Sequence, residues 1–180
     1  MKNWVILFVR TGLEEKIVRV LKERLNAGEY LPFLPTKETP RRSRGIICKE
    51  CKLLFPSYVF IKTVIEADLI AEKLKSALVG IVCRKNIYSI LHYGDDEKDV
   101  VMREQERLHW ERLFDSNFCI TGSLGFIEGD VIRITSGALV GMESRIKRIN
   151  RHKREAVVEM EIMGAVRQVM VMLEVAVKVR

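Results

Sequence analysis

The stretch from Gly129 to Glu155, GDVIRITSGALVGMESRIKRINRHKRE, constrains this chain more than any other. Short β-branched runs alternate there with glycines, where a positive φ costs least, so the chain can reverse between strands. Val131 to Ile134 reads as one strand, Ser136-Gly137 and Gly141 as turns, and Ser144 to Ile149 as the returning strand. The chain then turns on Asn150-Arg151-His152-Lys153-Arg154. Three fixed positive charges, a histidine and an amide within five residues suit phosphate contact joined to hydrogen bonding at base edges. The expected product is a small β-barrel with a cationic tip.

Composition bounds the rest. A chain of 180 residues with 48% hydrophobic content can bury one ordinary core or two small ones, which excludes a disordered protein. Lys and Arg outnumber Asp and Glu by 31 to 24, a net charge of +7; this favours polyanionic partners, with simple solubility as the alternative. No apolar run approaches the roughly 18 residues of a membrane span, and Val5 to Val9 is too short for a signal-peptide core. A cytoplasmic protein without a membrane partner is expected. Cys48, Cys51, Cys83 and Cys119 do not form a disulfide framework; Cys48 and Cys51 have the separation of half a zinc knuckle, but no second close pair completes four ligands. Reduced thiols are expected, with no metal and no cofactor.

The first half alternates strand and helix. Trp4 to Val9 is a continuous apolar run and reads as a strand buried on both faces. Thr11-Gly12-Leu13-Glu14 has the spacing of a capping box, so a helix should start there. Leu13, Ile17, Val20, Leu21 and Leu25 would form its apolar face, and Gly28 would close it. Tyr30 to Leu34, broken by prolines, suits an edge strand. From Lys37 to Lys52, six cations (Lys37, Arg41, Arg42, Arg44, Lys49 and Lys52) stand against Glu38 and Glu50, a net +4. Such a run between two strands is either a solvated loop or a basic hairpin that meets DNA, through Lys37, Arg41, Arg42 and Arg44.

Lys52 to Ile61, KLLFPSYVFI, is the second informative segment. Val59 and Ile61 alternate with Tyr58 and Phe60, and Phe55-Pro56 opens the strand where a missing amide is tolerated. Glu66 to Ala77 predicts a helix with Leu69, Ile70, Leu74 and Leu78 on one side, and Ile81 to Cys83 a short strand. Asp95, Asp96, Glu97 and Asp99 are expected to begin a helix running to Phe114 rather than to bind metal. Residues 115–125 are the linker candidate. Ala156 to Met163 alternates, with Val158, Met160 and Ile162 on one face; Gly164 turns the chain and Val166 to Val179 supplies closing strands. Met160, Met163, Met170 and Met172 read as core filler or as an adaptable contact patch.

Gly129 to Glu155 resembles the KOW motif, in which a strand, a glycine-containing loop and a second strand make half a barrel. Phe55-Pro56-Ser57-Tyr58 resembles the Phe-Pro-Gly-Tyr signature of the NusG family of transcription elongation factors, with Ser57 in the glycine position. With Trp4 and Gly12-Leu13-Glu14, the first half is similar to the NusG amino-terminal domain. The resemblance implies an α+β chain: residues 1–114 a domain with an antiparallel sheet flanked by helices, 115–125 a linker, and 126–180 a KOW-type barrel. It implies docking on bacterial RNA polymerase through Trp4, Phe8, Phe55, Pro56 and Tyr58. It also implies reduced pausing or termination. The sequence SGALVGMESRIKRINRHKR looks more like the specialised LoaP-like or RfaH-like antiterminators than like the housekeeping factor.

Lys147, Arg148, Asn150, Arg151, His152, Lys153 and Arg154 are then the candidate RNA-binding residues, with an RNA hairpin in the nascent leader as ligand. A transcription–translation coupling module whose barrel binds a ribosomal protein is the alternative. His92, His109 and His152 have no nucleophile that spacing brings close, and no phosphate-binding glycine loop appears. A monomeric, non-enzymatic binding protein is the expectation.

Overall fold

A computed structural model describes residues 1–43, 46–81 and 84–179. The fold is α+β. In chain order the elements are β1 (Asn3–Val9), α1 (Glu14–Arg24), β2 (Tyr30–Phe33), β3 (Thr36–Ser43), β4 (Ile46–Leu53), β5 (Tyr58–Thr63), α2 (Ala67–Ala77), β6 (Ile87–Ile90), α3 (Glu104–Leu113), β7 (Cys119–Ile120), β8 (Ser123–Glu128), β9 (Val131–Ser136), β10 (Ile146–Asn150), β11 (Glu155–Ile162) and β12 (Ala165–Val179). Packing divides the chain into two units, Met1–Pro35 with Phe55–Arg107, and Thr36–Leu54 with Leu108–Arg180. This division follows contacts, whereas boundaries at 114 and 125 follow the order of the chain. No helix among the described residues is long and apolar enough to cross a membrane.

The first unit is built on an antiparallel sheet of order β2-β5-β1-β6. Its strands alternate as the sequence requires. Val5, Leu7, Val9, Val59 and Ile61 join Ile17, Val18 and Leu21 of α1 and Ile70 and Leu74 of α2 in one core. The opposite face carries Trp4, Phe33 and Phe60, whose rings meet edge-on or tilted at centroid distances of 5.3 to 6.3 Å. β1 is buried on both faces except at Phe8, and β2 is an edge strand. Leu69 is exposed rather than part of the apolar side of α2.

The expected capping box does not form. Leu13 precedes α1 with no side-chain cap, and both candidate capping groups turn elsewhere. Glu14, buried at 3% exposure, accepts the amide of Ser57 through Oε1 at 2.8 Å. The hydroxyls of Thr11 and Ser57 lie 2.6 Å apart. Ser57 has φ 71°, a left-handed conformation that costs a non-glycine residue roughly 1–2 kcal/mol. An amide donating to a carboxylate gives back about 1.5–3 kcal/mol, so the charged acceptor stabilises a serine where glycine would be free of strain. The Ser57 carbonyl accepts from the Val9 amide at 2.8 Å, which ties the same turn to β1. The exit of α1 also differs from expectation. Leu25 is already extended, and the Gly28 amide donates to Asn26 Oδ1 at 2.9 Å, so an asparagine turn closes the helix.

The acidic cluster at 95–99 does not begin a helix. Asp96 Oδ1 accepts the Lys98 amide at 2.9 Å, a local side-chain bond that competes with helix. α3 begins only at Glu104, after the Tyr93 hydroxyl accepts the Arg103 amide at 2.9 Å and donates to Glu106 at 2.7 Å. Burial first, then that bond to Glu106, pushes the Tyr93 phenol well above its usual range.

The second unit contains a five-stranded sheet of order β10-β11-β12-β8-β9 and a three-stranded sheet of order β4-β3-β7. Ala156, Val158, Met160 and Ile162 bury one face of β11, opposite Val171 and Val169 across the β11–β12 ladder. The closing strands are one strand: β12 pairs antiparallel with β11 and then parallel with β8. β9 and β10, expected as the paired half of a barrel, stand at the two ends of the sheet order, and no ladder joins them among the described residues. Gly137 has φ 94°, and a Cβ there would meet the Gly122 carbonyl oxygen at 2.4 Å, so this turn admits no side chain. Residues 115–125, expected as a linker, carry β7 and the start of β8. β7 pairs parallel with β3, and Asp115 Oδ1 accepts the Asn117 and Cys119 amides at 2.8 and 2.9 Å.

Cys48 and Cys51 lie on β4. Side chains alternate along a strand, so residues three apart face opposite sides and cannot form half a knuckle. Among the described residues no group of three or more acidic, histidine or cysteine side chains could hold a metal ion. Cys83, expected to end a short strand, lies outside the described residues.

Two consequences are measurable. Glu14→Ala leaves the Ser57 amide without its charged acceptor and should cost about 1–3 kcal/mol of unfolding free energy in urea titration; a loss within error would remove Glu14 from this role. The second concerns His109, whose ring nitrogens lie 3.1 and 3.0 Å from Arg145 Nη2. Burial first, then Arg145 and Arg112, lowers its pKa against the opposing pull of Glu161. A depressed folded pKa means the fold favours neutral imidazole. This stabilisation is present above the ordinary value of about 6.5 and is lost as pH falls through it to the folded value. Unfolding free energy should therefore fall on acidification below about pH 7, and His109→Gln should flatten that segment of the profile.

Candidate functional site

In the first unit the turn at Ser57 sets the start of β5 and with it Tyr58, which lies opposite Phe8 in the β1–β5 register. Their ring centroids are 5.8 Å apart. Tyr88 on β6 continues the row, 5.3 Å from Phe8. Phe55 meets Tyr58 edge-on at 6.4 Å and stacks on Phe60 at 6.1 Å and 15°. The result is a ribbon of aromatic rings that runs from solvent into the interior. Phe8 is 37% exposed and Tyr88 54%, whereas Trp4 is fully buried, with Lys62 Nζ 4.8 Å from its ring centroid. Phe8, Tyr58, Tyr88 and the exposed Pro56 can present apolar area to a partner; Phe55 is half-buried, and Trp4 is fully buried against Phe33 and Phe60. Tyr88 was missed in the sequence because Ile87-Tyr88-Ser89-Ile90 is a short strand in which Ser89 stands opposite Phe8, and only the register shift between Phe8 and Val9, where Tyr88 has no partner, brings its ring to the patch.

In the second unit β3 and β4 pair from Thr36↔Leu53 to Ser43↔Ile46, the basic hairpin that the sequence predicts. Its charges are not all free. Lys37 donates through Nζ to the Met170 carbonyl at 2.7 Å, and burial first, aided by Lys52 and opposed by Glu155, lowers its pKa. Lys49 pairs with Glu38 at 2.9 Å, Arg41 with Glu50 at 3.6 Å and Lys52 with Glu50 at 3.5 Å. Burial opposes ionisation of Glu38, but the Gly122 amide and the Lys49 ammonium outweigh it and hold the carboxyl below its ordinary range. Arg42 stands opposite Ile47 in the ladder, and Arg44 lies outside the described residues.

The tip between β10 and β11 also sorts its residues. Asn150 Oδ1 accepts the Lys153 amide at 3.0 Å, so that oxygen shapes the turn; the amide NH2 is the part left to a ligand. Lys147 pairs with Glu159 at 3.0 Å and Arg154, at φ 54°, with Glu174 at 3.2 Å. Arg148, Arg151, His152 and Lys153 are exposed. Among the described residues none of these four has an ion pair. Arg148 at the end of β10 and Arg151, His152 and Lys153 on the turn can position a polyanion without first losing an ion-pair partner.

A comparison with curated proteins finds no match to the chain. The family described as "Transcription termination factor nusG" matches residues 2–108, a span that includes Trp4, the Glu14–Ser57 turn and the aromatic ribbon. The chain therefore belongs to the NusG family of transcription factors.

Proposed function

We propose that this protein is a specialised elongation and antitermination factor of the LoaP-like or RfaH-like kind. Its first domain, 1–114, docks on RNA polymerase, and its KOW-type domain, 126–180, binds an RNA hairpin. The single observation that supports the docking reading best is the row of exposed Phe8, half-buried Tyr58 and exposed Tyr88, because rigid aromatic side chains give large contact area at low entropy cost. Trp4 and Phe55 hold that row in place, and Pro56 borders it.

The nucleic-acid contacts divide by availability. Arg148, Arg151 and Lys153 contact phosphate, His152 and the Asn150 NH2 reach bases or 2′-hydroxyls, and Lys147 and Arg154 contribute after release from their carboxylates. On the β3–β4 hairpin, Arg41 and its neighbours approach DNA near the polymerase. Exposed ion pairs are worth only about 0–1 kcal/mol, so exchange of a carboxylate for a phosphate is inexpensive. The translational-coupling reading draws on exposed Leu124, Val131, Val166 and Met170, an apolar set suited to a protein partner.

Tyr58→Ala, with its fold checked by circular dichroism, should weaken binding to purified core polymerase at least tenfold, the loss of roughly 2 kcal/mol expected of an aromatic anchor. Parent-like affinity would overturn the docking face. The Arg151→Ala, Lys153→Ala double variant should lower affinity for the leader hairpin of the target transcript and reduce the log–log salt slope by about one unit per contact removed. Equal binding of matched and unrelated hairpins by the parent would reduce the RNA reading to general polyanion attraction. Binding to ribosomal protein, with none to either RNA, would favour the coupling reading.

A further inference from the structure

The two outer strands of the small sheet bring together a pair of thiols that the transcription reading does not use. β3 pairs with β4 on one side and with β7 on the other. Glu38 stands opposite Cys51, and Thr36 stands opposite Cys119. Across β3 the two sulfurs come within 3.9 Å of each other. A disulfide bond is about 2.05 Å long and needs its Cα atoms within about 6.8 Å, whereas strands on either side of a central strand stand roughly 9.5 Å apart, so formation needs β4 and β7 to draw together over β3 by backbone movement as well as χ1 rotation. Cys48, three residues from Cys51 on β4, faces the opposite side and has no such neighbour among the described residues.

We propose that Cys51 and Cys119 are a reversible thiol–disulfide modification site, oxidised by low-molecular-weight disulfides of the glutathione class. The two thiols differ in the way a sequential reaction requires. Cys51 is exposed and Cys119 is buried. Burial first, then Cys51 and Asp115, raises the Cys119 pKa against a lowering bond from Thr36. Cys51 is therefore the sulfur that meets the oxidant. Its thiolate attacks one sulfur of the small disulfide, breaking that S–S bond and releasing one small thiolate. Cys119 then gives its proton to solvent, its sulfur attacks Cys51 Sγ, and the second small thiolate leaves. Two protein thiols lose two electrons in all, and one small disulfide becomes two thiols.

The covalent link closes 68 residues of sequence separation and fixes β4 to β7 across β3. The hairpin and residues 115–122 could then no longer separate, although Glu38 and Thr36 already hold them together by hydrogen bonds with Gly122 and Phe118. This inference rests on the sulfur geometry alone and stands or falls independently of polymerase or RNA binding.

The test exposes the folded full-length chain to oxidised glutathione, blocks remaining thiols with N-ethylmaleimide and maps the peptides by mass spectrometry. The expected product is a Cys51–Cys119 linked peptide pair, at least tenfold above any other pairing and reversed by dithiothreitol. Cys48→Ser should leave the link intact, whereas Cys119→Ser should leave a persistent glutathione adduct on Cys51. Unfolding the parent in urea before oxidation should abolish the preference, a control that needs no variant to fold. A stable glutathione adduct on Cys51 in the folded parent, or pairing no more selective than in urea, would overturn the proposal.

Discussion

The first unit depends on a buried carboxylate. Glu14 begins α1, yet its side chain does not serve that helix; it reaches the amide of Ser57 at 2.8 Å and holds a left-handed residue where β5 is about to start. The Ser57 carbonyl in turn holds Val9 at the end of β1. One turn thus joins α1, β1 and β5, and fixes the register in which Phe8 faces Tyr58. The strain of the left-handed residue and the gain from a charged acceptor are of similar size, about 1–3 kcal/mol each. Serine can therefore occupy a position where the family signature has glycine, provided that the carboxylate is there.

A second constraint governs the cations. The chain has 31 Lys and Arg against 24 Asp and Glu, but the structure does not leave this excess evenly spread. On the β3–β4 hairpin Lys37, Arg41, Lys49 and Lys52 all have internal partners. On β10 and the β10–β11 turn Arg148, Arg151 and Lys153 have no ion pair among the described residues. Local charge density counted along the sequence treats the two segments as similar; pairing separates them. Lys37 differs most, since its ammonium is half-buried against the Met170 carbonyl and braces β3.

Much of the fold was legible because burial imposes period. The continuous apolar run of β1, buried on both faces, the alternation of β5 and β11 and the 3.6-residue spacing of α1 and α2 each follow from which faces of a strand or helix meet a core. The helix boundaries that were misread have side-chain bonds at their root, some to a partner distant in sequence and some, as at Asn26 and Asp96, to a backbone amide two residues on. Thr11 and Glu14 have capping-box spacing but bond to Ser57, 46 and 43 residues on. The acids at 95–99 resemble a helix start, but Tyr93 sets where α3 begins. Residues 115–125 have linker composition, and within them β7 pairs with β3 and the Gly122 amide meets the carboxylate of Glu38.

The sequence by itself determined the alternation of strand and helix in the first half, the apolar faces, the aromatic strand at Tyr58 to Ile61 and the cationic turn at 150–154, because each is a property of neighbouring residues. Only the tertiary structure decided that Tyr88 joins Phe8 and Tyr58, that Trp4 is fully buried against Phe33 and Phe60, and that Cys51 finds Cys119 rather than Cys48. It also decided that β9 and β10 lie at opposite ends of their sheet. Each of these depends on strand order and register, and a register is fixed by all the residues of two strands packing at once. No local stretch of sequence contains that information.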